Sequence, residues 1–253
     1  MIHFQALSKH YGDFEAVKPL TLEVGGGEVF GFLGPNGAGK TTTIRMMMGI
    51  LVPSGGRVLI DGLDCHAEAA QVKRRVGYLP DNPIFYDYLR GREILRFVAE
   101  MHGFQRREAS LRAGRLLDEF GLDEVSEDYA VNYSMGMKKK LGLACAMIHE
   151  PAVLILDEPI NGLDPRAARE VQDRLLRIAA HGTTIFVSTH LLDMAERLCS
   201  RVGIIHHGKL TATGTLDELR HASASDGNLE QLFLKITDET DQDGAPGQSM
   251  APG

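Results

Sequence analysis

Alternating apolar and polar positions dominate the first sixty residues. Short runs of strand character occupy residues 2–7, 20–24, 28–33 and 57–60, each bounded by turn residues. The triplet Gly25-Gly26-Gly27 predicts a turn between two of them. From about residue 83 to 150 the apolar period lengthens to that of a helix. Ile94, Leu95, Val98 and Met101 share one face, and Leu111, Leu116, Leu117 and Phe120 share another. A mostly helical insertion is expected there. Strands then alternate with helices: a strand at 152–157, a helix from 165 to 181, a strand at 183–188, a helix from 190 to 199 and a strand at 202–207. That alternation implies a parallel sheet.

Local signals sharpen several boundaries. Asp164 is a plausible N-cap, Pro165 stands at the first helical position and Gly182 follows the last turn, the asymmetry expected of a real helix. Thr215 with Glu218 and Asn228 with Gln231 have capping-box spacing, which predicts short helices at 216–220 and 229–236. From Thr237 onward the chain carries acidic residues and two prolines but no Lys or Arg, so residues 237–253 are expected to form an acidic disordered tail.

Composition narrows the function classes. The 253 residues hold 27 Lys and Arg against 34 Asp and Glu, a net charge of -7, which argues against nonspecific nucleic-acid binding. An apolar share of 43% is that of a globular protein with a sizeable core. The longest apolar runs fall far short of the roughly 18 residues that a membrane span requires. The opening residues lack the basic start, apolar centre and small-residue cleavage site of a secretory signal, so a cytosolic location is the expectation. Cys65, Cys145 and Cys199 are odd in number and widely spaced, and are expected to be reduced and mostly buried rather than zinc ligands.

The chemistry begins at Gly34-Pro35-Asn36-Gly37-Ala38-Gly39-Lys40-Thr41, which fits GxxxxGK[ST] between an apolar strand and a helical segment. Glycines there let successive backbone N–H groups curl around a phosphate, and the following helix adds its positive end. Lys40 would reach the β- and γ-phosphates, and the Thr41 hydroxyl would ligate Mg²⁺. A second constellation, residues 153–159 (VLILDEP), delivers two adjacent carboxylates at the C-terminal end of a strand, where open α/β sheets bind ligands. Asp157 would hold Mg²⁺, directly or through water, and Glu158 would take a proton from an attacking water. Ser188-Thr189-His190 closes the next strand at the same sheet edge, where His190 could donate to a γ-phosphate. His206 and His207 end a later strand and carry no expected role.

The order of these motifs resembles the nucleotide-binding subunit of ABC transporters. The matching residues are Gly34 to Thr42 as the Walker A loop (Thr42 included), Tyr133-Ser134-Met135-Gly136-Met137 as the signature, Val153 to Glu158 as Walker B, Asn161-Gly162-Leu163-Asp164 as the D-loop and His190 as the switch histidine. The resemblance spans residues 2–236, and the Tyr-Ser-x-Gly-Met signature with Gly77-Tyr78-Leu79-Pro80 is most similar to the ABC-2 type exporters. It implies a P-loop NTPase α/β core with a parallel sheet, an N-terminal antiparallel β subdomain and a helical insertion subdomain at about 83–150, all within one ATP-binding domain over residues 1–236. It also implies head-to-tail pairing with a second ATP-binding subunit, identical or related, each ATP lying between the Walker A loop of one and Ser134 and Gly136 of the other. Tyr11 matches the position of an aromatic ring under the adenine, Asp81 the loop that reaches Mg²⁺, and Asp164 the D-loop contact.

Three positions depart from the family pattern. Asp81 stands where most members carry glutamine, with a shorter and charged side chain. Met135 and Met137 replace Gly and Gln of the commonest signature, and Ile160 replaces a small polar residue. The run Lys138-Lys139-Lys140 adds positive potential near the signature and is expected to be a solvated helix face rather than a phosphate contact.

An ATPase subunit that powers a separate membrane permease from its cytoplasmic face, an exporter by the subgroup resemblance, is therefore expected. Phe85, Tyr86, Tyr88 and Leu89 form an aromatic-rich segment that suits either a permease interface or packing within the helical subdomain. The alternative is a soluble ABC-type ATPase acting on DNA or ribosomes, against which stand the absence of heptads, of a duplicated domain and of a basic surface.

Overall fold

The computed structural model describes residues 1–222 and Phe233. The tail expected at 237–253 and, apart from Phe233, the helix expected at 229–236 with its Asn228–Gln231 cap lie outside the described residues.

In chain order the elements are β1 (Ile2–Tyr11), β2 (Phe14–Val24), β3 (Val29–Leu33), α1 (Lys40–Met47), β4 (Gly55–Ile60), β5 (Leu63–Asp64), α2 (Ala69–Arg75) and β6 (Val76–Leu79). Three helices follow, α3 (Gly91–Met101), α4 (Arg106–Glu119) and α5 (Met135–Met147), with a short 3-10 turn before the last. The chain continues through β7 (Val153–Asp157), α6 (Pro165–Ala180), β8 (Thr184–Thr189), α7 (Leu192–Leu198), β9 (Arg201–His206), β10 (Lys209–Thr215) and α8 (Leu216–Ala222).

Two sheets result. The first is antiparallel, in the order β2-β1-β4-β5, and the second runs β10-β9-β3-β8-β7-β6. Every pairing in the second is parallel except that of β10 with β9. β3, β7 and β8 are buried along their whole length, and their unbroken apolar sequences are those of strands covered on both faces. Phe30 and Phe32 of β3 pack on Phe186 of β8, and Phe4 of β1 reaches the same ring, so one aromatic cluster joins the two sheets. The expected α/β architecture, with its antiparallel and helical additions, is the one observed.

The differences from the pattern-based expectation have physical causes. β1 and β2 extend to residues 11 and 14 because their distal halves form a solvent-facing hairpin, where burial no longer demands apolar residues. β6 and β10 escaped prediction: one is four residues long and contains Gly77, and the other is mostly Thr, Gly and Lys. Gly77 is required by packing, since a Cβ there would lie 2.0 Å from the Ala146 carbonyl oxygen of α5, which rides directly over the strand. In the helical layer Ile94, Leu95, Leu116 and Leu117 are buried as expected, but Met101 and Leu111 are 71% and 64% exposed. Their expected places on the inner faces of α3 and α4 are taken by Ala99, Ala109 and Ala113, small residues that let the two helices approach. The expected caps formed: Asp164 accepts from the Arg166 and Ala167 amides, and Thr215 and Glu218 bond reciprocally. No helix among the described residues is long and apolar enough to cross a membrane.

Candidate functional site

β3 ends at Leu33 and the chain turns through residues 34–39 into α1. Gly39 makes that turn possible: its φ is +108°, and a Cβ there would lie 2.7 Å from the Ala16 carbonyl oxygen. No side chain caps the N-terminus of α1, which leaves its first amides and the positive end of the helix to an anion. Lys40 folds back over the loop, its Nζ donating to the Gly34 and Pro35 carbonyls at 2.6 and 3.1 Å. Burial pushes the Lys40 pKa down, opposed by the charges of Glu158, Asp157 and Asp81. Gly34 and Ala38 form the back of the loop, Ala38 being 3% exposed.

The neighbouring strands supply the acidic wall. Because β7 and β8 pair in parallel with Asp157 opposite Ser188, the residues at both strand ends face each other. Ser188 Oγ donates to one Asp157 oxygen, and Thr41 Oγ1 donates to the other at 3.0 Å. Glu158 leaves the strand with φ at +48°, a left-handed conformation that costs a non-glycine residue about 1–3 kcal/mol. Its surroundings hold it there. The Glu158 amide donates to the Ser188 carbonyl at 2.9 Å, Thr189 Oγ1 donates to Oε2 at 3.0 Å, and His190 Nδ1 lies 2.8 Å from Oε1. Lys40 Nζ lies 3.8 Å from the same oxygen. Asp157 and Glu158 are both buried. Thus Ser188 and Thr189, which the sequence placed at this edge without a role, each hold one carboxylate.

Gly39, Lys40, Thr41, Asp157 and Glu158 line a cleft of about 240 Å³ that also includes Tyr11, Pro35, Asn36, Gly37, Thr42 and Asp81, while Gly34 and Ala38 lie behind it and His190 lines a separate cavity between α6 and α7. The Thr41 hydroxyl and the Asp157 carboxylate, in direct contact, form a pair of hard oxygen donors that suits Mg²⁺, and Asp81 lines the same cleft. Phe14 lines the cleft as well, and sequence reasoning passed over it. The available signal was the two-residue hairpin turn that pairs Tyr11 with Phe14 and brings two half-exposed rings to one edge.

Three further expected residues are elsewhere. Ser134 caps α5 by accepting from the Met137 amide at 3.2 Å, Gly136 lies against Leu163 and the Gly162 carbonyl, and Asp164 caps α6. None of them lines this cleft. The lysine run also needs correction. Lys139 is not on a solvated face: its side chain is 2% exposed, and Nζ donates to the Asp81 carbonyl and lies 3.4 Å from the Asp81 carboxylate. α5 packs on β6, and of the three lysines only the middle one is buried, Lys138 and Lys140 being partly exposed. Ile160, unexplained by the sequence, is 9% exposed and part of the main apolar core, where a polar side chain would be buried. In the aromatic segment Phe85 and Leu89 pack on that core, whereas Ile84, Tyr86 and Tyr88 are 92%, 74% and 81% exposed.

Comparison with known proteins completes the picture. A sequence model of the family described as ABC transporter matches residues 17–161. The probable multidrug ABC transporter ATP-binding protein YbhF of Escherichia coli (strain K12) is 36% identical over 247 residues, 96% of this chain. This chain spans 43% of the length of YbhF. The bacitracin transport ATP-binding protein BcrA of Bacillus licheniformis is 40% identical over 234 residues, covering 92% of this chain and 74% of BcrA. A solved structure of an ATP binding subunit of an ABC transporter superposes with a TM-score of 0.87 at 34% identity, covering 93% of this chain and 99% of the other.

Proposed function

Because the chain belongs to the ABC transporter family, we propose that it is the ATP-binding and hydrolysing subunit of a transporter, driving a separate membrane permease from its cytoplasmic face. The observation that carries this reading is the pairing of Thr41, in the uncapped first turn of α1, with Asp157 beside a buried Glu158.

In this reading the amides of residues 37–41 and the Lys40 ammonium bind the phosphates, and Lys40 exchanges its carbonyl partners for phosphate oxygens. Thr41 and Asp157, with Asp81, would hold Mg²⁺, which would supply charge neutralisation at the phosphates. Glu158 orients the attacking water and takes its proton. Thr189 and His190 hold that carboxylate in place, and His190 keeps a second ring nitrogen for the γ-phosphate. Tyr11 and Phe14 stand where a base would stack. The position of Ser134 and Gly136 outside this cleft supports the need for a second ATP-binding subunit, whose own α5 start would close the site. The names of YbhF and BcrA support transport as the process, and the Tyr133–Met137 signature supports export. No nucleic acid enters this scheme.

The exposed ring pair Tyr86 and Tyr88 is the proposed permease contact. Tagged protein carrying Glu158→Gln, loaded with ATP, is expected to recover a multi-span protein from detergent-solubilised native membranes. Adding Tyr86→Ala and Tyr88→Ala is expected to abolish that recovery while nucleotide binding stays unchanged, because neither ring lines the cleft. Recovery of ribosomal or DNA-associated proteins alone would replace the transporter reading with its soluble alternative.

A further inference from the structure

Asp81 belongs to two cavities at once. It lines the phosphate cleft with Asp157 and Glu158, and it also lines an adjoining cavity of about 470 Å³ with Lys139, Met135 and Phe85. The two linings have no other residue in common. Its carboxylate is half exposed, while the ammonium that faces it comes from one of the most completely buried side chains in the protein.

The contact is unequal. Lys139 Nζ makes its short bond, 2.5 Å, to the Asp81 backbone carbonyl and stands 3.4 Å from the carboxylate. The lysine therefore anchors the loop through its main chain and leaves the side chain only loosely held. The anchor itself is rigid. One turn further along α5, a Cβ at Gly142 would lie 2.6 Å from Leu79 Cδ1 and 3.2 Å from Pro83 Cβ, so the helix is in close contact with the chain on both sides of Asp81.

We infer that Lys139, reaching from the signature-bearing helix, competes with a divalent cation for the Asp81 carboxylate and draws that side chain back from the cleft until a cation displaces it. This rests on the reading of the cleft as an Mg²⁺-nucleotide site. A charged residue at position 81 is tolerated in this chain because Lys139 supplies its counter-charge from behind. When a cation arrives in front, the carboxylate has a second partner while the carbonyl anchor stays in place. The start of α5 and the cation are thereby linked through one lysine.

The test is Mn²⁺ binding to the ADP-loaded full chain, read as free Mn²⁺ by electron paramagnetic resonance, which requires no turnover. Lys139→Met is expected to tighten Mn²⁺ binding by about two- to fivefold, the scale of a partly exposed ion pair. Asp81→Asn is expected to weaken it, and the double variant is expected to match Asp81→Asn alone. A merely structural lysine would not produce a shift that disappears when Asp81 is neutralised. Unchanged Mn²⁺ affinity in Lys139→Met, or a shift that persists in the Asp81→Asn background, overturns the inference. Should Lys139→Met fail to fold, Asp81→Asn decides alone, since wild-type Mn²⁺ affinity in that surface variant overturns the inference equally. Absence of any ADP-dependent Mn²⁺ binding to the wild-type chain would instead sink the reading of the cleft and the inference with it.

Discussion

Glu158→Gln is expected to bind ATP with nearly wild-type affinity and to lose hydrolysis by about 10²- to 10⁴-fold, the usual cost of removing a positioned general base. The geometry separates the two effects. The Glu158 side chain is held by Thr189, His190 and Lys40 at one end of the cleft, whereas the phosphate-binding amides and the carbonyl contacts of Lys40 belong to the loop before α1. A glutamine of the same shape still accepts from Thr189, so the left-handed backbone at residue 158 keeps its support. Steady-state phosphate release and the binding of a fluorescent ATP analogue, measured on the same preparation, check both halves. Wild-type phosphate release would remove Glu158 from the role of base.

Lys40→Met is expected to fail earlier, at binding. The ammonium is buried and is satisfied by two loop carbonyls and the Glu158 carboxylate. Methionine fills much of the same volume but offers no donor, so a bound triphosphate would face the buried Asp157 and Glu158 without the intervening positive charge. Truncating one partner of a buried charge pair costs about 2 kcal/mol or more, so nucleotide affinity should fall by roughly 30-fold at least. Titration calorimetry with ADP and with ATP measures it, and the loss should be larger for ATP if Lys40 serves the terminal phosphates as proposed. Equal affinity in mutant and wild type would mean that the helix N-terminus alone holds the anion.

These two variants differ in how far the sequence could foresee them. The phosphate loop was legible because its chemistry is local: the glycines, Lys40 and Thr41 lie within eight consecutive residues, and the flanking strand and helix announce themselves by periodicity. The acidic pair was legible for the same reason. Its supports were not, since Ser188 and Thr189 reach Asp157 and Glu158 only through the register of two strands separated by α6. Phe14 shows the same limit on a smaller scale, for a hairpin register places it beside Tyr11. Lys139 shows it most clearly. Three consecutive lysines look alike in a sequence, and only the packing of α5 on β6 decides that the middle one is buried against Asp81. Helix faces were read well where large side chains fill them and poorly where alanines do, as Met101 and Leu111 demonstrate. Ile160 became intelligible only when the core around it was known.

Ser134 and Gly136 at the start of α5 lie outside the cleft lining of the chain that carries them. On the proposed head-to-tail pairing, each chain would carry half of two sites and the whole of none. In dilute solution its hydrolysis would then be second order in protein: halving the concentration would quarter the rate, until association saturates. Tethering two copies, or docking both on a permease, would replace that dependence with a fixed local concentration, so the permease would act as a scaffold that sets the working rate as well as the load that is driven.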